Sequence, residues 1–279
     1  MRVFVAGCGT MGAGIAQVFA AFGHETVMFD RTSELAKGGY GLIEKQLGRQ
    51  VGRGRMTEEE AMGILARLTP TCDHEDARGT DLVIEAIFEN MEAKRELFGK
   101  LDAICGPDCL FASNTSSLSI TEMARGLAHE EQFLGLHFFN PAPVMKLVEV
   151  IRGAGSSDET MARALELAAA IGKEAVVCRE SPGFIVNRVL IPMINEAADL
   201  LDRGIASRED IDRAMQLGAN HPMGPLQLAD FIGVDIVLDI MNTLLEETND
   251  PKYRPSLLLK NMVRAGRLGR KSGCGFYTY

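Results

Sequence analysis

Three glycines beside the amino terminus constrain this chain more than anything else in it. Gly7-Cys8-Gly9-Thr10-Met11-Gly12 stands directly behind a short apolar run, residues 2–6, which reads as a buried strand. After the turn, residues 15–22 have helical composition, and Gly23, tolerant of positive φ, stops them. Residues 25–29 read as a second strand, and Asp30 ends it. Strand, glycine turn, helix, strand and acid together make a dinucleotide-binding unit. Gly7 allows the tight turn, Gly9 lets the backbone approach a pyrophosphate, and Gly12 lets helix and strand pack closely. The helix start adds unpaired N–H groups and the positive end of a dipole. G-x-G-x-x-G alone is a weak signal, since a purely structural turn can carry it. The acid about 20 residues along supplies the context.

The pattern continues as alternating helix and strand. Residues 33–52 read as a long helix, and residues 58–68 as another with Thr57 as its N-cap. Residues 81–87 form an apolar strand, Glu89 follows, and Lys94 enters a helix running to about residue 104. Residues 110–112 form a strand that leads into Ser113-Asn114-Thr115-Ser116-Ser117. Such alternation implies a mostly parallel sheet covered on both faces, with ligands at the carboxyl ends of its strands. Near Ser181 the pattern changes. Ser181 and Pro182 make a helix start, and residues 184–201 are apolar around much of their circumference, with Asn187, Pro192 and Asn195 inside. Pro192 is expected to kink that helix. Further helices are expected over residues 208–217, 226–249 and 255–265, and the glycine-rich tail 268–277 is expected to pack as a loop. The fold class is therefore an α/β Rossmann-type domain, residues 1–181, followed by an all-α domain, residues 182–279. Breadth of apolar coverage on the 184–201 helix points to a central position or a subunit contact.

At 279 residues the chain is near the size where one core divides in two. Its net charge of −9 argues against a nucleic-acid partner. Six scattered cysteines contain no C-x-x-C pair, and five dispersed histidines complete no metal-ligand set. Free thiols in a reducing cytoplasm are the simplest account. No apolar stretch reaches membrane-spanning length, and the run behind Arg2 is too short for a signal peptide.

One further stretch carries chemistry. In Leu136-His137-Phe138-Phe139-Asn140-Pro141-Ala142-Pro143-Val144-Met145-Lys146-Leu147-Val148-Glu149, two prolines separate an apolar segment holding His137 from another holding Glu149. A carboxylate that accepts from one imidazole nitrogen leaves the other to accept a proton near neutral pH. Oxidising a secondary alcohol with a nicotinamide needs such a base, donors for the substrate oxygen, and aim at the ring. His137, Glu149, Ser116 and Asn187 fit those roles. Singly, each has an ordinary structural reading that carries more weight. His137 is a core histidine bonded to backbone, Glu149 the wet edge of a strand, Ser116 a helix cap, and Asn187 a backbone-bonded amide.

Together these strings resemble the L-3-hydroxyacyl-CoA dehydrogenase family, in particular its bacterial members acting on 3-hydroxybutyryl-CoA. The resemblance rests on the Gly7-x-Gly9-x-x-Gly12 opening, Ser113-Asn114-Thr115-Ser116-Ser117, His137-Phe138-Phe139-Asn140-Pro141 and Pro182-Gly183-Phe184-x-x-Asn187-Arg188. His221-Pro222-Met223-Gly224-Pro225 and Gly273-Cys274-Gly275-Phe276-Tyr277 extend it along essentially the whole chain. It implies His137 as base, Glu149 as its partner, and Ser116 and Asn187 as substrate-positioning groups. It implies cofactor contacts from Gly7, Gly9, Thr10, Met11, Gly12, Asp30, Glu89, Lys94 and Asn114, and a homodimer through the helical domain. It also sets basic residues against the nucleotide portion of CoA, where this chain has Arg49 and Arg53, one helical turn apart. Cys8 stands where the family often has alanine, and the two arginines where it often has lysine. Asp30 favours NAD, because a carboxylate accepts from a ribose 2′-hydroxyl and repels a 2′-phosphate. Arg31 beside it pulls toward NADP. Rival readings are a dehydrogenase of a free hydroxy acid or sugar acid, one for another acyl-CoA such as 3-hydroxyadipyl-CoA, and a non-catalytic dinucleotide-binding protein.

Overall fold

The computed structural model describes residues 1–279 and divides into two compact units, Met1–Glu180 and Ser181–Tyr279. The first unit runs β1 (Arg2–Ala6), α1 (Thr10–Ala21), β2 (Glu25–Phe29), α2 (Ser33–Gly52), α3 (Glu58–Leu65), β3 (Leu68–Thr71) and β4 (Leu82–Glu85). It continues with α4 (Met91–Asp102), β5 (Leu110–Ser113), α5 (Ile120–Ala124), β6 (Phe133–Phe138), β7 (Leu147–Arg152), α6 (Asp158–Ala170) and β8 (Glu174–Arg179). The strands make one eight-stranded sheet in the order β3-β2-β1-β4-β5-β6-β7-β8. Every neighbouring pair is parallel except β6 with β7. Strands β1 and β4 are apolar runs without alternation because both their faces are covered. The order turns at β1, between β2 and β4, and sheets of this kind take ligands at the carboxyl ends of the strands beside such a turn. Val5, Ile15, Phe19, Ile84, Leu134 and Val150 belong to one core cluster that joins sheet and helices, while Phe98, Phe111 and Phe133 are buried against one another outside it.

Local chemistry sets the helix ends. Thr57 and Glu60 form a reciprocal capping box on α3, and Asn90 caps α4 by accepting from the Ala93 N–H at 2.9 Å. The helix expected over residues 58–68 stops at Leu65, and Leu68–Thr71 instead pairs with β2 at the sheet edge. Proline lacks the ladder donor, and Pro70 is tolerated because this strand is an edge. The strand expected over 81–87 is shorter, since the Ile87 N–H turns to the Glu85 carboxylate at 2.7 Å. Residues 152–180, to which the sequence reading gives no elements, supply α6 and β8.

The second unit is helical: α7 (Val186–Asp202), α8 (Arg208–Gly218), α9 (Pro225–Ile232), α10 (Val234–Thr248) and α11 (Leu257–Arg264). Its core is built on Ile191, Ile194, Leu226, Val237, Met241 and Leu244. Three expectations change here. Ser181 does not cap α7; its carbonyl accepts from the Phe184 N–H in a tight turn, and its hydroxyl accepts from Arg188 at 2.8 Å. Gly183 and Phe184 both have positive φ, so the helix cannot begin before them. The helix expected over 226–249 is broken by Gly233 at φ 111°. The tail is indeed outside any α-helix, with one short 3₁₀ turn at Arg270–Ser272. Gly269 and Gly275 are explained by contact: a Cβ would lie 2.3 Å from the Asp230 carbonyl oxygen at the first and 1.9 Å from the Asp230 carboxylate at the second, and that carboxylate accepts from the Phe276 and Tyr277 N–H groups at 2.8 Å. No helix of either unit is long and apolar enough to cross a membrane.

Candidate active site

The glycine turn joins the end of β1 to the start of α1. Gly7 sits at φ 98°, and a Cβ there would approach the Ala86 carbonyl oxygen to 2.5 Å. A Cβ on Gly12 would lie 1.7 Å from the Gly7 carbonyl oxygen, so helix and turn touch backbone to backbone. A Cβ on Gly9 would meet no protein atom within 4 Å. No side chain caps α1 at Gly9, which leaves the Thr10 and Met11 N–H groups to an anion at the helix start. Asp30 closes the turn from β2; its Oδ2 accepts from the Cys8 N–H at 2.9 Å and its Oδ1 from the Arg31 N–H at 2.8 Å. A dinucleotide fits these groups: phosphates at the uncapped helix start, and a ribose at the carboxylate.

His137 and Glu149 are directly opposed in the antiparallel β6–β7 pair, so their side chains leave the same face of the sheet. His137 Nδ1 and Glu149 Oε2 are 2.7 Å apart, and the two residues are 6% and 0% exposed. Glu149 is thus not on a wet strand edge. The buried carboxylate finds its compensation in the imidazole. The Phe139 ring packs on the imidazole with centroids 4.6 Å apart.

Ser113 to Ser117 form the turn at the carboxyl end of β5. Asn114 ties this turn to the histidine strand, its Oδ1 accepting from the Phe138 N–H at 2.8 Å. Glu89 Oε1 gathers the turn, accepting from the Thr115 hydroxyl at 2.5 Å, the Ser116 N–H at 3.2 Å and the Ser117 hydroxyl at 3.2 Å. Lys94 is buried, with its ammonium 3.0 Å from Glu89 Oε2 and 2.7 Å from Glu85 Oε1. Glu85 also accepts from the Ser113 hydroxyl at 2.6 Å. Burial pushes the Glu85 carboxyl above the usual range, and Lys94 only partly offsets this. Burial acts the same way on Glu89, but there Lys94 and the Thr115 hydroxyl outweigh it and hold the carboxyl low. Sequence reasoning missed Glu85. The available signal was an acid at the end of a wholly apolar strand, nine residues ahead of a lysine.

Gly7, Asp30, Glu85, Ser116 and His137 therefore lie at the carboxyl ends of neighbouring strands of one sheet. Asn187 is the second residue of α7, in the other unit. Arg49 is in the last turn of α2 and Arg53 is its C-cap; both are exposed and make no ion pair.

Residues 2–181 match the family model described as 3-hydroxyacyl-CoA dehydrogenase, NAD binding domain, and residues 183–279 match that family's C-terminal domain. The chain belongs to the 3-hydroxyacyl-CoA dehydrogenase family. Its cofactor is NAD, as Asp30 leads one to expect, and it is an oxidoreductase. The family's probable 3-hydroxybutyryl-CoA dehydrogenase of Bacillus subtilis is 50% identical over all of this chain and 97% of its own length. The 3-hydroxybutyryl-CoA dehydrogenase of Clostridioides difficile is 48% identical, covering 100% of this chain and 99% of its own. The crystal structure of (S)-3-hydroxybutyryl-CoA dehydrogenase from Ralstonia eutropha superposes with a TM-score of 0.95 at 46% identity, covering 100% of this chain and 98% of that one.

Proposed function

We propose that this family member interconverts a short-chain L-3-hydroxyacyl-CoA, 3-hydroxybutanoyl-CoA foremost, with the 3-oxoacyl-CoA, and that His137 is the general base. The observation that carries the chemistry is the buried 2.7 Å contact between His137 Nδ1 and Glu149 Oε2 at the same sheet edge as the glycine turn. The substrate class rests on the relatives' names, four-carbon hydroxyacyl-CoA dehydrogenases matched end to end. NAD supplies the hydride acceptor in oxidation and, reduced, the donor in the reverse direction. In the neutral tautomer that donates Nδ1–H to Glu149, the basic lone pair of His137 is on Nε2. That nitrogen takes the substrate hydroxyl proton during oxidation and returns it during reduction. Glu149 fixes the ring and stabilises the imidazolium formed on the way. Ser116 and Asn187 donate to the substrate oxygen. Gly7, Gly9, Thr10, Met11, Gly12, Asp30, Glu89, Lys94 and Asn114 serve the cofactor.

Arg49 and Arg53 are exposed, unpaired and one turn apart, as a pair receiving CoA phosphates should be. Six free cysteines suit a reducing cytoplasm. The helical unit makes a homodimer. The test is NADH oxidation with acetoacetyl-CoA, against free acetoacetate as control. The thioester should be reduced with at least about a hundredfold higher kcat/KM, because remote binding energy of the CoA portion goes into positioning. Equal rates on both substrates would reject the acyl-CoA assignment.

A further inference from the structure

Lys94 is the only buried lysine or arginine in the chain, at 1% exposure. An ammonium in that position is costly unless it is fully compensated. Two carboxylates compensate it, and they differ in kind. Glu85 is 0% exposed and immobile: Oε1 accepts from the Ile87 N–H at 2.7 Å and Oε2 from the Ser113 hydroxyl at 2.6 Å. Glu89 stands on the turn between β4 and α4, with its side chain 37% exposed. A glutamate so placed would ordinarily be mobile. Here one oxygen is held by Lys94 and the other by three donors of the Ser113–Ser117 turn: Thr115 Oγ1, the Ser116 N–H and Ser117 Oγ.

A continuous path of charge-assisted hydrogen bonds therefore runs from the interior end of β4, through Lys94, to the backbone of Ser116. Asn114 is anchored separately, its N–H to the Glu85 carbonyl and its Oδ1 to the Phe138 N–H. Beyond it the remaining bonds are local, Thr115 N–H to Ser113 Oγ and the Ser117 and Leu118 N–H groups to Thr115 Oγ1, so Glu89 alone ties residues 115–117 to another element.

We infer that Glu85 and Lys94 are positioning residues for the reaction: they lock Glu89, and Glu89 in turn sets the Ser116 backbone where its hydroxyl meets substrate. The inference rests on the role proposed above for Ser116. It adds to the cofactor contact that the family resemblance implies for Lys94: Glu85 and Glu89 take two of the ammonium's three N–H donors.

The test removes both buried charges together, in Glu85→Gln with Lys94→Met, so that neither is left unpaired. Hydrogen exchange of residues 115–118 is measured beside that of residues 147–152 as an internal reference, together with steady-state kinetics and the thermal midpoint. Exchange in 115–118 should quicken by about tenfold or more with the reference unchanged. In kinetics, kcat at saturating NADH should fall about tenfold or more, as a small misplacement of a positioning group does. Adding Ser116→Ala to the double variant should cost less than Ser116→Ala costs in the wild type, because both act through one group. Wild-type exchange in 115–118 overturns the inference whatever the kinetics. Should Ser116→Ala alone keep full kcat, the substrate role of Ser116 fails, while the exchange result still decides the locking of the turn. If the double variant does not fold, Glu85→Gln alone, which keeps the acceptor shape, is measured in the same way. It should show the same changes to a smaller degree, and unaltered exchange again overturns the inference.

Discussion

His137 and Glu149 are twelve residues apart in the chain and directly opposite in the sheet, which is possible only because β7 turns back against β6. The two prolines and the loop they shape permit that reversal; pairing register then brings the side chains together. Replacing His137 by Gln should lower kcat by roughly 10²–10⁴, the usual worth of a positioned base, with NADH affinity nearly intact. Glu149→Gln should lower kcat as well, since the neutral amide no longer stabilises the imidazolium formed during proton transfer. Stopped-flow reduction of acetoacetyl-CoA would check both, and a His137 variant retaining most of its kcat would end the assignment. Both residues were readable in advance as a candidate pair. Glu85 was not, because a strand of Leu82, Val83 and Ile84 gives no reason to look for chemistry at its end. Only the lysine arriving from α4 makes that acid intelligible.

At the level of elements, the glycine turn makes a sharp distinction between two similar substitutions. Gly12→Ala drives a Cβ into the Gly7 carbonyl, 1.7 Å away, and neither backbone can yield without separating α1 from β1. Its cost should be about 2–4 kcal/mol of stability, the range of severe overpacking, measured by chemical denaturation. Gly9→Ala meets no protein atom within 4 Å and should leave the denaturation midpoint nearly unchanged. Its effect should fall on NADH, with affinity down by about tenfold or more, because the added methyl occupies the approach to the helix start. Equal stability losses in the two variants would show that the turn is purely structural. Elsewhere, propensity set the type of most elements and tertiary contact set their ends. Pro70 joins a strand because an edge tolerates it, and Gly233 breaks a long helix because its φ of 111° leaves the helical region.

For the whole molecule, the helical unit exposes apolar side chains that its own core does not use: Val189 at 70%, Leu217 at 76%, Leu257 at 60% and Ile205 at 68%. Scattered singly, such residues are ordinary, but four within one small unit suit a subunit contact. Sedimentation velocity at micromolar concentration should give a species near twice 30.3 kDa, and a sole species at 30.3 kDa would contradict the dimer.

The order of residues alone determined the dinucleotide unit, the alternation that makes a parallel sheet, the change to helices near Ser181 and the family. All of these are local or periodic signals, carried by glycine conformational freedom, capping residues and the spacing of apolar side chains. Tertiary structure alone decided that β6 and β7 are antiparallel, that Glu149 is buried under His137, and that Lys94 is shut between Glu85 and Glu89. Those facts depend on which strand lies beside which. The residues concerned lie within about a dozen positions of one another, but register across a sheet and the burial of a charge are set by the elements packed around them, which no local pattern of residue types specifies.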